Sequence, residues 1–407
     1  MIGSLFSGIS GLTANTTAMS AVGDNIANVN TPGYKRSSPS FANILSQSMG
    51  GSQANQIGRG VKMVGVGTSW NPGSVETTDN STDLSIGGEG LFVVNDAGGT
   101  AYYTRAGEFS FDKDGNLVNP DGLNVQGYAV DSAGTPGAMG SIALPPGIAS
   151  AQSTSAFALG INLDAGCVEG DQYTSSLTVY DSLGNDVPLT MTFTKTGNSN
   201  EWSWEATVPA AFVGEGNEVV GSGTVTFNED GTLPDGTDPE LSIPFSNGAT
   251  NPQTVAWDLY DDSGATNADL VQYASPSATT FMSRDGYAAG TLQSVSVDEQ
   301  GLFSALYTNG VTTPFSQIVL ADFPSYAGLA KIGDNLFSET PASGSASMGS
   351  PKSGGLGAIS SNSLEMSNVN LVDEFVKMIT SQRAFQANSR VITTSDEILA
   401  ELINIKR

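Results

Sequence analysis

The sequence predicts mainly β domains, of antiparallel sandwich or barrel type, carried between long N- and C-terminal α-helices that pair as a coiled-coil-like core. Three observations predict it. Asp-Gly stands at 114, 121, 230, 235 and 285 and Asn-Gly at 247 and 309, each beside short β-branched or aromatic runs such as Leu91 to Val94, Leu189 to Thr194 and Val295 to Val297. At that spacing they read as two-residue turns between antiparallel strands. Apolar residues recur at helical intervals at both chain ends. Two Gly/Ser-rich stretches, 50–67 with six glycines and 341–360 with five glycines and six serines, lie just inside those ends. Such chain is hinge-like or extended unless packed. The expected domains are therefore nested and discontinuous: 1–33 with 362–407 as the helical core, 34–75 with 340–361 as an extended connecting region, 76–148 with 285–339 as an inner β domain, and 149–284 as an acidic outer β domain.

Taken in order, Ile2, Leu5, Ile9, Leu12, Met19 and Ile26 form the N-terminal stripe, interrupted by Gly8, Gly11 and Gly23. Each interior glycine costs about 1 kcal/mol relative to Ala, so this helix is weak alone, but glycines admit a close neighbour. Thr31-Pro32-Gly33 stops it near Asn30, because Pro disfavours helix at the preceding residue and Gly allows a turn. Tyr34, Lys35 and Arg36 then enter the connecting region, where contact with a neighbouring subunit is favoured over purely local turn chemistry. Gly65, Gly67, Gly354 and Gly355 are the candidate hinges. At the far end Leu371, Met378, Phe385, Ile392 and Leu399 fall seven apart, with Phe375, Leu402 and Ile403 beside them and no Gly or Pro after 357. That spacing predicts a helix of about 40 residues, about 60 Å long, with a coiled-coil seam. A two-helix pair of that length leaves apolar surface in water, so both stripes are expected to pack against other copies of the chain.

Composition excludes several chemistries. In 407 residues there is no histidine and one cysteine, Cys167, which removes Ser-His-Asp, Cys-His and His- or Cys-cluster metal sites within the chain. Neither a cofactor nor a metal is expected: Asp112-Lys-Asp-Gly-Asn116 departs from the EF-hand spacing and reads as a hairpin turn. No local feature favours a glycosidase carboxylate pair, and the chain is read as not an enzyme. The net charge of -26 is unevenly spread: residues 1–70 carry +3, 361–407 carry -1, and 146–284 carry -16. Near-neutral ends suit dense packing and an acidic middle suits solvent, while nucleic acid and anionic membranes would be repelled. No run approaches the length needed for membrane insertion, and residues 1–23 lack the basic start of a secretory signal, so if the chain leaves the cell it needs another route.

The run Asn25-Ile-Ala-Asn-Val-Asn-Thr-Pro-Gly-Tyr-Lys-Arg36 closely resembles the signature of the bacterial flagellar axial proteins, the rod and hook subunits. Ser367-Asn-Val-Asn-Leu-Val-Asp-Glu-Phe375 and Gln382-Arg-Ala-Phe-Gln-Ala-Asn-Ser-Arg390 resemble the matching C-terminal helix. Thr104 to Phe109, Asp114 to Val118, Gln126 to Tyr128, Val179 to Asn185 and Gly328 to Phe337 agree as well, whereas roughly 208–284 departs in sequence and acidity. Length selects the hook branch, since rod subunits are much shorter; a distal rod subunit or a secreted β-rich adhesin are the rival readings. The resemblance implies a homopolymeric curved tube acting as a universal joint between rod and filament, with paired terminal helices around a central export channel. It implies as partners the distal rod protein, the hook cap protein, the hook–filament junction protein, the hook-length control protein and the type III export gate, and an extracellular place in the flagellum reached without a cleaved signal. In related early export substrates an aromatic residue followed four positions later by an aliphatic one docks on the gate, a pattern that Phe41 and Leu45 match. Spirochaete members cross-link a cysteine in the region of Cys167; here Cys167 is read as a small half-buried residue instead.

Overall fold

The computed structural model describes residues 2–44, 47–48, 56–57, 59–131, 134–261, 263–267 and 269–405. The chain forms two compact units, one of residues 1–145, 294–306 and 312–407, the other of 146–293 and 307–311. Strands dominate both, and the two long helices belong to the first.

In the first unit the N-terminal helix runs Ile2–Ala27 and the C-terminal helix Leu371–Ile405. They lie antiparallel: Ser4 Oγ is 3.4 Å from Ser395 Oγ near one end, and Asn25 Nδ2 donates to Glu374 Oε2 at 3.1 Å near the other. The glycines set the approach. A Cβ on Gly8 would stand 3.1 Å from Ile392 Cγ1, and one on Gly11 would stand 2.8 Å from Asn388 Nδ2. Met378, Phe385, Ile392 and Leu399 are half-buried against this partner, as are Leu5, Leu12, Met19 and Ile26 on the other helix. Ile9, Leu371 and Phe375 are exposed, so the seam within one chain is narrower than the heptad pattern implied.

The C-terminal helix is also shorter than expected, 35 residues, or about 50 Å. Residues before it are diverted: Ser363–Glu365 pairs as a strand with Val75–Thr77. Asn370 then caps the helix, its Oδ1 accepting from Val372 N at 3.0 Å.

In the largest sheet of this unit Leu302–Tyr307, Thr312–Ile318, Asn124–Val130, Leu91–Asn95, Ala101–Thr104, Leu336–Ser338 and Ala330–Gly333 follow one another, and separate two-stranded pairs lie outside it. Leu91–Asn95 is central and buried on both faces, Phe92 and Val94 entering one core, Leu91 and Val93 the other. Gly65 and Gly67 lie in the strand Val61–Thr68, which pairs with Ser37–Asn43. This ribbon replaces the loose linker that glycine content suggested. Gly354 and Gly355 sit in a turn with φ of +60° and +93°.

The second unit is a sandwich. Gln172–Tyr180, Asp186–Lys195, Glu201–Thr207 and Val219–Thr226 form an antiparallel meander. Their inward residues, among them Leu189, Met191, Phe193, Trp202 and Trp204, meet those of a second sheet around Trp257. In that sheet Ala156–Asp164 runs parallel to Gln253–Trp257 and Leu270–Tyr273 and antiparallel to Ala278–Arg284, so the antiparallel rule fails at its centre. A strand buried on both faces reads as a continuous apolar run, and Phe157 to Leu163 is nearly that.

Of the seven expected two-residue turns, those at Asp114 and Asp121 are a different turn, which recurs elsewhere in the chain. Asp96, Asp112, Asn119, Asp181, Asp261 and Asp298 each place Oδ1 on the N–H groups two and four residues on. The glycine three residues on has a φ near +70° to +84° in every case. That is a type I turn closed by a left-handed glycine. Gly236 and Gly286 do not take positive φ, and their dipeptides connect no hairpin.

Candidate functional site

The two terminal motifs meet at a buried polar junction in the first unit. Gly33 makes the meeting possible: its φ is +69°, and a Cβ there would stand 2.4 Å from Ala106 N. Only glycine lets the chain leaving the N-terminal helix lie this close to the sheet. Gly33 N donates to Glu365 O at 2.7 Å, and Asn335 Nδ2, from the turn between Ala330–Gly333 and Leu336–Ser338, donates to Pro32 O at 3.2 Å.

Glu365 is the hub. Lys35 Nζ lies 2.6 Å from Oε1, Gly73 N donates to the same oxygen at 2.8 Å, and Arg105 Nε donates to Oε2. Lys35 and Glu365 side chains are each 2% exposed. Burial alone would raise the Glu365 carboxyl, but Arg105, Lys35 and the Gly73 N–H together hold it below the usual range. Arg105 also donates to the carbonyls of Ile86, Gly88 and Gly90, so one guanidinium ties the returning C-terminal segment to three backbone positions of the segment 86–90.

A second cluster surrounds Asn25. Its Oδ1 accepts from Ser37 N at 2.8 Å and Tyr34 Oη at 3.1 Å, while Nδ2 donates to Ser37 O at 2.8 Å and Glu374 Oε2 at 3.1 Å. Two bonds accepted at one atom and two donated from the other is a combination that an amide offers and a carboxylate or aliphatic residue does not, since a carboxylate can only accept. Buried Glu374 also takes Lys377 Nζ at 2.6 Å and lies 3.7 Å from Arg36 Nη1. Tyr34 Oη donates to Asp24 Oδ2 at 2.9 Å; burial, then this bond, push its pKa up to about 12. Asn368 closes the link, accepting from Arg36 N and donating to the carbonyls of Ser69 and Asn71.

Of the residues expected for self-assembly, Gly33 and Tyr34 enter this junction, Pro32 touches it through its carbonyl, and Asn30 is exposed outside it. Thr31 makes a local bond to Asn28 Oδ1. Phe41 is exposed on the ribbon opposite Met63; Leu45 and the side chain of Ile2 lie outside the described residues. Sequence reasoning missed Asn25, Arg105, Glu365, Asn368 and Asn388 as individual anchors, although all but Glu365 fall inside the quoted motifs.

The junction holds no nucleophile paired with a base. Among the described residues no three Asp, Glu or Cys side chains are placed to hold a metal ion. A cavity of about 420 Å³ beside it is lined by Asp24, Tyr34, Lys331 and Asn335, and Lys331 Nζ is engaged by Ser37 Oγ at 2.9 Å. The arrangement fixes one thing, the direction in which both helices leave the sheet. Beyond it the helices leave large apolar side chains in solvent: Phe6 is 59% exposed, Phe375 50% and Val372 70%.

The chain matches four family descriptions along its length. Residues 5–35 match "flagella basal body rod protein", 85–162 "flagellar hook protein FlgE/F/G D1 domain", 167–287 "flagellar basal body protein FlaE D2 domain", and 360–405 "flagellar basal body rod FlgEFG protein C-terminal". It is 34% identical to the flagellar hook protein FlgE of Borreliella burgdorferi, with 100% of both chains covered, and 32% identical to that of Salmonella typhimurium, with 98% of both covered. The crystal structure of Helicobacter pylori flagellar hook protein FlgE2 shares its fold, with a TM-score of 0.56 at 15% identity over 72% of this chain and all of that one. With relatives of this identity matched from end to end, the chain belongs to the flagellar hook protein family.

Proposed function

We propose that this chain is the structural subunit of a flagellar hook, a curved homopolymeric tube that passes torque from rod to filament around a central export channel. The observation that carries this reading is the pair of terminal helices. They are clamped at their base by buried ion pairs, yet they expose Phe6, Val372, Phe375, Val376 and Ile379 to water, a surface that further copies of the chain would cover. In this reading the helices form the inner layer, the segments 34–75 and 340–361 connect them, and two β domains, 76–148 with 285–339 and 149–284, form successive outer layers. Bending takes place by small shifts between stiff β bodies, with Gly65, Gly67, Gly354 and Gly355 in the connecting segments. The rod, cap, junction and length-control proteins are the expected partners at the ends of the tube. Export proceeds through the type III gate, with Phe41 and Leu45 as the docking pair.

Val372→Asp combined with Val376→Asp tests the reading. Both positions face away from the N-terminal helix, so the purified variant should keep its circular dichroism and melting temperature while losing polymerisation by sedimentation and electron microscopy. Polymers indistinguishable from wild type would sink the reading.

A further inference from the structure

The sandwich unit carries 19 acids and two bases. Lys195 is buried and its ammonium is spent on the carbonyls of Asn198 and Glu201. Arg284 is therefore the one exposed cation of an otherwise anionic body, and among the described residues it has no carboxylate partner. Its guanidinium lies over the Tyr180 ring at 5.2 Å, at the wall of a groove of about 600 Å³. Asp285, also in the wall, is occupied by Ser155 N, Ser155 Oγ and Ala156 N. Exposed apolar side chains rim this end: Met282, and Leu183 at 58% exposure in the turn whose Gly184 packs on Ala288 and Ala289 of the groove wall.

The opposite end of the same sheets has the complementary character. Tyr180 ends the strand Gln172–Tyr180, and the loop 165–171 precedes its start, about 30 Å away at 3.4 Å per residue. That loop projects Val168, 68% exposed, with Glu169 next to it and Asp171 three residues on, whose Oδ2 accepts from Val168 N at 2.9 Å, and with Tyr273 exposed beside it. An apolar knob flanked by carboxylates thus stands at one end of the unit and a groove with an apolar rim and one unpaired cation at the other.

We propose that the Val168 loop of one copy seats in the Arg284 groove of the next, a head-to-tail contact between sandwich units in which Glu169 or Asp171 pairs with Arg284. Charge selects the occupant: two such acidic bodies repel everywhere except where this cation faces a carboxylate. The two surfaces differ, so the contact is heterologous and propagates into an open array rather than closing as a dimer. This rests on the homopolymer reading and deepens it.

The test uses the full-length chain. With Cys167→Ser removing the native thiol, Val168→Cys and Ala289→Cys are introduced together, polymers are grown and checked by electron microscopy, and mild oxidation follows. The contact predicts a ladder of disulfide-linked multimers on denaturing gels, absent from either single-cysteine chain. Well-formed polymers without a ladder overturn the contact while leaving the homopolymer reading intact; failure of the parent Cys167→Ser chain to polymerise at all overturns both. In parallel, Arg284→Glu should raise the critical concentration for polymerisation about tenfold, the scale of one charge-assisted contact, and Glu169→Arg with Asp171→Arg in the same chain should restore it. An unchanged critical concentration in Arg284→Glu contradicts the proposal.

Discussion

At the scale of single residues, the junction depends on charges that cannot be removed one at a time. Glu365→Ala leaves Lys35 and Arg105 buried without their carboxylate, and breaking one side of a buried pair costs about 3–5 kcal/mol. Denaturant unfolding should show that loss, whereas a change below about 1 kcal/mol would mean that water reaches the site and the ion pairs are ornamental. Gly33→Ala should be nearly as damaging, because the left-handed φ and the Ala106 backbone both exclude a Cβ. These anchors were only half legible in the sequence. Pro32 and Gly33 announce a helix stop through their own backbone restrictions, so the stop could be read locally. Glu365 is 330 residues from Lys35 and 260 from Arg105, and no periodicity links the three. Only the fold of the sheet brings them together.

At the scale of elements, the helix pair shows what a heptad pattern does and does not specify. The pattern located the C-terminal helix, which begins at its first heptad residue, Leu371, capped by Asn370 and preceded by Ser363–Glu365 paired as a strand with Val75–Thr77, but it overstated the length. It also overstated the intrachain seam, because Leu371 and Phe375 obey the period yet face water. Glycine, read first as a weakness of the N-terminal helix, is what allows the approach at Gly8 and Gly11. Replacing both with Leu is expected to separate the helices against Ile392 and Asn388, reduce helical circular dichroism and prevent assembly, and an unperturbed spectrum with normal polymers would contradict the close-approach account. The turns teach the same lesson. The dipeptides at Asp114 and Asp121 stand in hairpin turns and those at Asp235 and Asp285 do not; where this turn recurs, the shared feature is the Asx three residues before the glycine, whose side chain accepts two backbone N–H bonds. A proline at Gly65 or Gly67, within the ribbon, is accordingly a strand-breaking change rather than a stiffened hinge.

At the scale of the whole molecule, acidity and turn chemistry converge on one pH dependence. At Asp181 burial would raise the carboxyl, but Asn185, Asn247 and Leu183 N–H outweigh it; at Asp112 the Asn116 N–H leads, and at Asp261 the Ser263 hydroxyl, so all three are held below the usual range. Their folded pKa lies below the unfolded value of about 3.9, so their stabilisation is complete above that value and is lost as pH falls through the folded pKa. Melting temperature should therefore be flat near neutrality and fall below about pH 4, and Asp181→Asn should flatten part of that fall. A chain whose stability is insensitive to acid would contradict the assignment of these bonds. The charge map itself was legible, since counting acids needs no fold. The position of Arg284 against a groove was not, because the groove's walls come from segments as distant in sequence as Tyr180 and Asn309.

The central claim is that this chain builds the hook. Its most direct test is immunogold electron microscopy of isolated flagella with antibodies raised against residues 149–284. Gold confined to a short curved section between basal body and filament is the predicted result. Gold absent from flagella and spread over the cell envelope would contradict it and favour a secreted adhesin.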